Sequence, residues 1–322
     1  MTYNESSSFF FAPMNRQTTK NLMLIRPRNF SSNEETLDSN EFQNAFVESS
    51  NITQIREQVD IEFSNMLQKL SDHDIGHIVF DDVEGLGSPD AIFPNNWVTF
   101  HDDGTVILYP MMSSKRRNEK RIDIIQKLSD NGFSINKTID MGYLENSAHY
   151  LEGTGSMILD RVNKKAYACI SSRTTSKALS VFSDIMSYEI MEFSSTTSIP
   201  IYHTNVMMSL GEDTAIVCFD VIEEKDVSIQ LKSDLKDSGR NVIDISIDQM
   251  KSFLGNALEV RSKNDEKYLL MSDTAIKSLN AGQREMIKDR LNLLSFSIPT
   301  IEKYGGGSVR CMLAEIFLDK HE

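Results

Sequence analysis

The chain has 322 residues, 40% hydrophobic and 25% charged, with a formal net charge of −14. This is the composition of a globular protein, and the acidic balance without a basic stripe argues against nucleic acid as a partner. No apolar run approaches the roughly 20 residues of a membrane span, and FFFA near the N-terminus is too short for a signal-peptide core. Three cysteines, Cys169, Cys218 and Cys311, show no metal-ligand spacing. They fit a reducing, cytoplasmic setting and not a disulfide framework.

Residues 1–20 read as a flexible arm, followed by one domain over 21–322. The first strand is LMLIR, Leu22–Arg26, closed by Pro27. Ile52, Ile55, Val59, Phe63, Met66, Leu67 and Leu70 recur at spacings of three and four and predict an amphipathic helix. Gly76 is expected to end it, and HIVF, residues 77–80, to form the next strand. Beyond this a unit returns with a period near fifty residues. Trp97–Phe100 and Thr105–Tyr109 flank HDDG as a hairpin, and a basic helix is expected over about Lys115–Ser129, before a short extended stretch. SMILDRVNKKAYACIS, KALSVFSDIMSY and EIMEFS repeat hairpin, helix and strand. VMMSLGEDTAIVCFDVI, DVSIQLKSDLKDSG and NVIDIS do so again. ALEVRSKNDEKYLLMS, AIKSLNAGQREMIKDR and LLSFSI are a looser last copy. Such units set around an axis would put helices outside and loops at a central channel.

Three stretches carry residues suited to chemistry. The first is YGGGSVRCMLAEIF, Tyr304–Phe317. Three consecutive glycines are costly to order and point to positive φ or a close backbone approach. Cys311, four residues past the last of them at the mouth of an apolar strand, is placed as an exposed nucleophile. Cys169 and Cys218 lie inside apolar strand patterns and read as ordinary core cysteines. The second stretch is IYHTNVMM. A nucleophilic cysteine needs a proton partner, and His203 stands there at a loop-to-strand junction. His73 and His77 in HDIGH mimic a helical zinc pair, but Gly76 interrupts the helix and no Glu follows the first His, so no metal is expected. His101 is expected to be exposed in its turn and His149 to stand behind the site. The third stretch is LEGTGS, where Glu152 precedes two glycines and can face a cavity.

LEGTGS, HTN and GGGSVRC occur in the order Glu-Gly, His-x-Asp, Gly-rich-Cys of the pentein, or guanidino-group-modifying, superfamily. LIRPRNFSSNEETLDSNEFQ, FPNNWVTFHDDGTVILYPM, KRRNEKR, QMKSFLGNALEV and the three motifs together resemble its amidinotransferase-related branch, which includes citrulline-utilisation hydrolases. The resemblance covers nearly the whole chain. It implies an α/β fold: a five-bladed propeller of ββαβ repeats around a central active site, in agreement with the repeats above. It implies Cys311 as nucleophile, His203 as general acid and base, Glu152 as acidic partner, and Arg116 at the substrate α-carboxylate. Arg117 reads as solvated. No cofactor or metal is implied.

Two positions depart from the guanidine-acting members. Asn205 stands where arginine deiminase has Asp after His-x, and Asn96, with Asn95 as the neighbouring candidate, where the deiminases keep another Asp. A guanidinium offers only donors and suits acceptor-only carboxylates; a ureido group has a carbonyl oxygen and suits an amide. Both changes favour citrulline over arginine. The expected function is hydrolysis of a small-molecule ureido substrate through an S-carbamoyl cysteine. The rivals are guanidine-acting deiminase or amidinotransferase activity and, outside the class, a non-catalytic binding propeller. Oligomeric state is not legible.

Overall fold

The computed structural model describes residues 16–37, 40–45, 52–83, 85, 87–197 and 201–321. Among them five three-stranded sheets repeat one pattern, an antiparallel pair of strands, a hairpin in four of the five, followed by a helical crossover into a parallel third strand. Parallel neighbours require such a crossover. The first blade has β1 (Asn21–Arg26), α1 (Ile52–Asp72) and β2 (Gly76–Asp81). The second has β3 (Val98–Phe100), β4 (Thr105–Leu108), α2 (Ile122–Asp130) and β5 (Lys137–Asp140). The third has α3 (Gly153–Ser156), β6 (Met157–Asp160), β7 (Lys165–Cys169), α4 (Ser176–Met186) and β8 (Glu189–Phe193). The fourth has β9 (Met208–Leu210), β10 (Thr214–Val217), α5 (Lys225–Asp237) and β11 (Asn241–Asp244). The fifth is led in by α6 (Ile247–Lys251). It contains β12 (Leu258–Arg261), β13 (Lys267–Ser272), α7 (Asp273–Ser278), α8 (Ala281–Lys288) and β14 (Asn292–Phe296). Finally α9 (Pro299–Gly305) leads to β15 (Ala314–Ile316), which pairs antiparallel with β1, Met23 opposite Ala314. The C-terminus thus supplies the first blade's inner strand and closes the ring of this five-bladed α/β propeller.

The inner strands face one another: β15 packs beside β3, β6 beside β9, and β9 beside β12. The apolar core lies between blades. α1 buries Val59, Phe63, Met66 and Leu70 against β1 and the fifth blade. Each such side chain contributes roughly 1.5–3 kcal/mol by leaving water. Met23, Trp97, Phe100 and Leu128 fill the next seam.

Four local expectations change. α1 ends at Asp72, with Asp74 at φ 54°, and Gly76 instead opens β2, where a Cβ would lie 2.5 Å from the Lys20 carbonyl oxygen. The basic helix is two elements: a 3₁₀ turn over Lys115–Glu119, an extended break at Lys120 and Arg121, then α2. His101 is buried, its Nε2 2.8 Å from Thr99 Oγ1, which also meets Tyr109 Oη at 2.7 Å. The end of the N-terminal arm is anchored: Gln17 is buried and donates to the Leu159 carbonyl at 2.8 Å. The first fifteen residues of the arm lie outside the described residues. Among the described residues no helix is long and apolar enough to cross a membrane.

Candidate active site

The N-terminal ends of the inner strands meet at one end of the axis, and a short turn before each of them carries a polar side chain. In the second blade Pro94 starts a 3₁₀ turn that holds Asn95 and Asn96. In the third Glu152 is the residue before α3. In the fourth His203 precedes the turn Thr204–Val206, which contains Asn205. In the fifth Asn256 stands two residues before β12, and the turn Val309–Met312 before β15 carries Cys311. These turns pack on one another, so residues far apart in sequence converge.

Glycines make the convergence possible. A Cβ on Gly155 would lie 2.3 Å from Asn96 Nδ2 and 2.9 Å from His203 Nδ1. Gly153 adopts φ 49° with Asn95 O in the space of its missing Cβ, a conformation that costs a glycine little. In the run before Cys311, Gly306 has φ 65° and ends α9, and a Cβ on Gly307 would press on Phe93 at 2.9 Å.

A small cleft here is lined by Cys311, His203, Asn96, Arg116, Arg173 and Asp90, with Tyr202, Phe93 and the three glycines. Glu152 lies behind its wall, fully buried. Its Oε2 is 2.7 Å from His203 Nε2, 3.4 Å from Arg116 Nη1 and 3.8 Å from Arg173 Nη1, while its Oε1 accepts from the Met112 amide at 3.0 Å. Burial opposes the charge of Glu152, but the His203 hydrogen bond and the two guanidinium groups outweigh it and bring its pKa down to about 2. Burial also holds His203 well below the usual imidazole range, against the pull of Glu152 and with the repulsion of Arg173 and Arg116. An ionised carboxylate facing a neutral ring fixes the imidazole proton on Nε2 and leaves Nδ1 as the basic atom.

Cys311, expected from the sequence to be exposed, is buried at 4% exposure, at the wall of the cavity and not on an open surface. Its polar neighbours are amides: Asn205 Nδ2 at 3.4 Å and Asn256 Nδ2 at 3.2 Å. The Oδ1 of Asn205 and the Nδ2 of Asn95 are buried and have no hydrogen-bond partner among the described residues. Asn96 donates to Asn95 Oδ1 at 3.0 Å, so Asn96 lines the cavity and Asn95 supports it from behind. Cys169 and Cys218 are buried elsewhere, and burial pushes their thiols up to about 12 and about 11. Neither thiol is fitted to act as a thiolate at neutral pH.

Arg116 lines the cavity as expected of a substrate-binding group, yet most of its donors are spent. Nε and Nη2 form a fork to Glu119 at 2.9 Å each, and Asp90 Oδ2 lies 3.6 Å from Nε. Burial works against its charge, and the three surrounding carboxylates more than restore it. Arg117 is half-buried against Glu145 and the Met111 carbonyl. Arg173, which sequence reasoning missed, stacks on Tyr202 with its guanidinium carbon 4.7 Å from the ring centroid and lines the same cavity. Arg116 and Arg173 both come from loops that leave the second strand of a blade, and the equivalence of PMMSSKRR and ISSRTTSK within the repeat was the available signal. Asp90 was missed as well; burial raises its pKa against the pull of Arg116. His149 is half-buried and does not line the cavity.

No curated protein matches the chain by sequence. Solved structures resemble it in fold. ArgZ, an arginine dihydrolase from the ornithine–ammonia cycle in cyanobacteria, superposes at a TM-score of 0.71 and 12% identity, covering 92% of this chain. This chain spans 40% of that protein's length, and 97% of its N-terminal domain alone, solved with substrate, at a TM-score of 0.70 and 12% identity over 92% of this chain. The dimethylarginine dimethylaminohydrolase of Pseudomonas aeruginosa, solved as a cysteine-to-serine mutant with citrulline, gives 0.63 at 14% identity, over 93% of this chain and all of that one. At such identities the likeness is one of fold. The sequence model of the family described as N,N dimethylarginine dimethylhydrolase, eukaryotic, matches residues 26–318. The chain therefore belongs to that family, within the pentein superfamily of guanidino-modifying enzymes.

Proposed function

We propose that the enzyme hydrolyses the ureido group of an amino acid, citrulline foremost, to ornithine, ammonia and carbon dioxide. The observation that carries this is the chemistry around the thiol. Asn205 and Asn256 approach Cys311 as neutral amides, while both oxygens of Glu152 are committed to His203, the arginines and a backbone amide. A cationic guanidinium would find no uncommitted carboxylate at the reacting carbon, and desolvating it there would be costly. A ureido group pairs its carbonyl with the Asn96 amide on the cavity wall and its N–H with the orphaned Oδ1 of Asn205, which stands beside the thiol just behind that wall.

The steps then balance. The Cys311 proton passes to the neutral His203 ring as sulfur bonds to the ureido carbon, and amide donors including Asn96 hold the oxyanion. Collapse breaks the bond to the δ-nitrogen, which takes the proton back from His203 and leaves as the ornithine amine. Water, deprotonated by His203, attacks the S-carbamoyl enzyme; the C–S bond breaks, the leaving sulfur takes the proton back from His203, and carbamic acid is released and decomposes to ammonia and carbon dioxide.

A guanidino amino acid is the second reading, favoured by Asp90, a buried carboxylate on the cavity wall. In an amidinotransferase the acceptor would be an amine in place of water. The deciding experiment compares kcat/KM for citrulline and arginine by ammonia release. Faster citrulline turnover supports the proposal, and faster arginine turnover gives the assignment to the second reading.

Two further expectations arise here. With His203 brought down to about 4, its ring is neutral in the free enzyme until pH falls well below 6. The acid limb of kcat/KM against pH should therefore lie near pH 4–5 and not near 6.5. Folding stability carries the same sign: below about pH 6.5 the unfolded chain takes up this proton first, so stability declines as pH falls through that window. A pH–stability curve on wild type and His203→Asn checks it.

Arg173, held over Tyr202, is the better match to the substrate α-carboxylate. Arg173→Ala should raise KM for citrulline roughly ten- to a hundredfold, the worth of a charge-assisted hydrogen bond, and barely change it for an analogue lacking the carboxylate. Arg116→Ala should impair both substrates alike, because its fork is spent on Glu119.

A further inference from the structure

We propose that Asn256 is a catalytic residue that holds the Cys311 thiolate ready for attack and ties it to the His203 segment. The proposal rests on Cys311 being the nucleophile, as set out above. Asn256 is 1% exposed. Its amide orientation is set by two backbone bonds: Nδ2 donates to the Asn205 carbonyl at 2.9 Å, and Oδ1 accepts from the Arg310 amide at 3.1 Å. With those made, the second hydrogen of Nδ2 is left for Cys311 Sγ, 3.2 Å away, the shorter of two contacts; Oδ1, 3.6 Å from Sγ and already bonded to the Arg310 amide, accepts from the thiol only while it keeps its proton. A thiolate is an acceptor, and a donor aimed at it favours the charged form over the thiol.

The fold explains why this residue is there. In each blade the turn before the inner strand delivers a polar side chain to the axis, and Asn256 is the fifth blade's contribution. Gly255 lets it approach: a Cβ there would lie 2.4 Å from the Val206 carbonyl oxygen. The Gly–Asn pair therefore seats directly on the turn bearing His203 and Asn205 while reaching the turn that bears Cys311. Among the described residues no hydrogen bond joins His203 to Sγ, so the amides of Asn256 and Asn205 are the groups in direct contact with the sulfur.

The test is alkylation of Cys311 by iodoacetamide across pH, read by peptide mass spectrometry. Asn256→Asp keeps the shape and the acceptor for Arg310 but removes both donated bonds. Asn256→Ala removes the donor without adding charge. Either folded variant should be alkylated roughly ten- to a hundredfold more slowly at pH 7, with the difference closing at alkaline pH where an unaided thiol ionises. kcat should fall alongside, with KM little changed. A folded variant whose alkylation profile overlays the wild type overturns the proposal, even if it melts earlier, since that is a purely structural role. Cys311→Ser separates the two ideas. If that variant turns over substrate, the nucleophile assignment itself fails; if it is inert while the Asn256 profiles are unmoved, only the role of Asn256 falls.

Discussion

Cys311→Ser is expected to lower kcat by roughly three powers of ten or more, the scale seen when a nucleophile that works as part of a unit is removed. The fold should survive, because the side chain changes little in volume and the two amides now facing sulfur can donate to a hydroxyl. Cys169→Ser and Cys218→Ser should behave in the opposite way. Each puts a hydroxyl into an apolar core at a cost of about 1–3 kcal/mol and leaves turnover per folded molecule unchanged. Melting curves and kcat on the three variants check the pattern. Stability loss without activity loss at Cys311 would remove it from the mechanism.

The second large effect is on specificity. Asn96→Asp combined with Asn205→Asp should move the ratio of kcat/KM for citrulline over arginine toward arginine by about one to two powers of ten per site. Asn96 lines the cavity, and Asn205 presents an orphaned Oδ1 beside the thiol. Carboxylates there would accept from a guanidinium but offer a ureido carbonyl no donor. Asn205 also donates to Cys311 Sγ, so the double variant should lose absolute rate on both substrates. The ratio is what carries the prediction. An unshifted ratio in a folded variant would put these two side chains out of contact with the reacting group.

Much of the molecule was legible because its signals are local or periodic. The α1 stripe of Val59, Phe63, Met66 and Leu70 is one face of a helix, and the repeated hairpins marked four of the five blades. The closure of β15 on β1 has no such signal, since it joins the two ends of the chain. Cys311 and Glu152 were readable from glycines near them, which mark backbone that must pass close to something, and His203 from its place at a loop-to-strand junction. Asn256 carries the same mark in Gly255 but lay in a segment that gave no other sign of chemistry. Arg116 looked like part of a basic helix, and its burial follows from three carboxylates, Asp90, Glu119 and Glu152, that only the folded ring brings around it. Arg173 and Asp90 stand in irregular loops, where periodicity says nothing. His101 is buried with its Nε2 on Thr99, which in turn meets Tyr109, a pairing across a hairpin that the turn signal HDDG does not reveal.

The central claim is a ureido carbon transferred to Cys311. Its most direct test is the mass of the enzyme quenched during turnover of citrulline, followed by peptide mapping. The account predicts a single carbamoyl group, on the peptide containing Cys311 and absent from Cys311→Ser. An adduct on another residue, no adduct at any point during measurable citrulline turnover, or an amidino group formed from arginine with citrulline inert would contradict it.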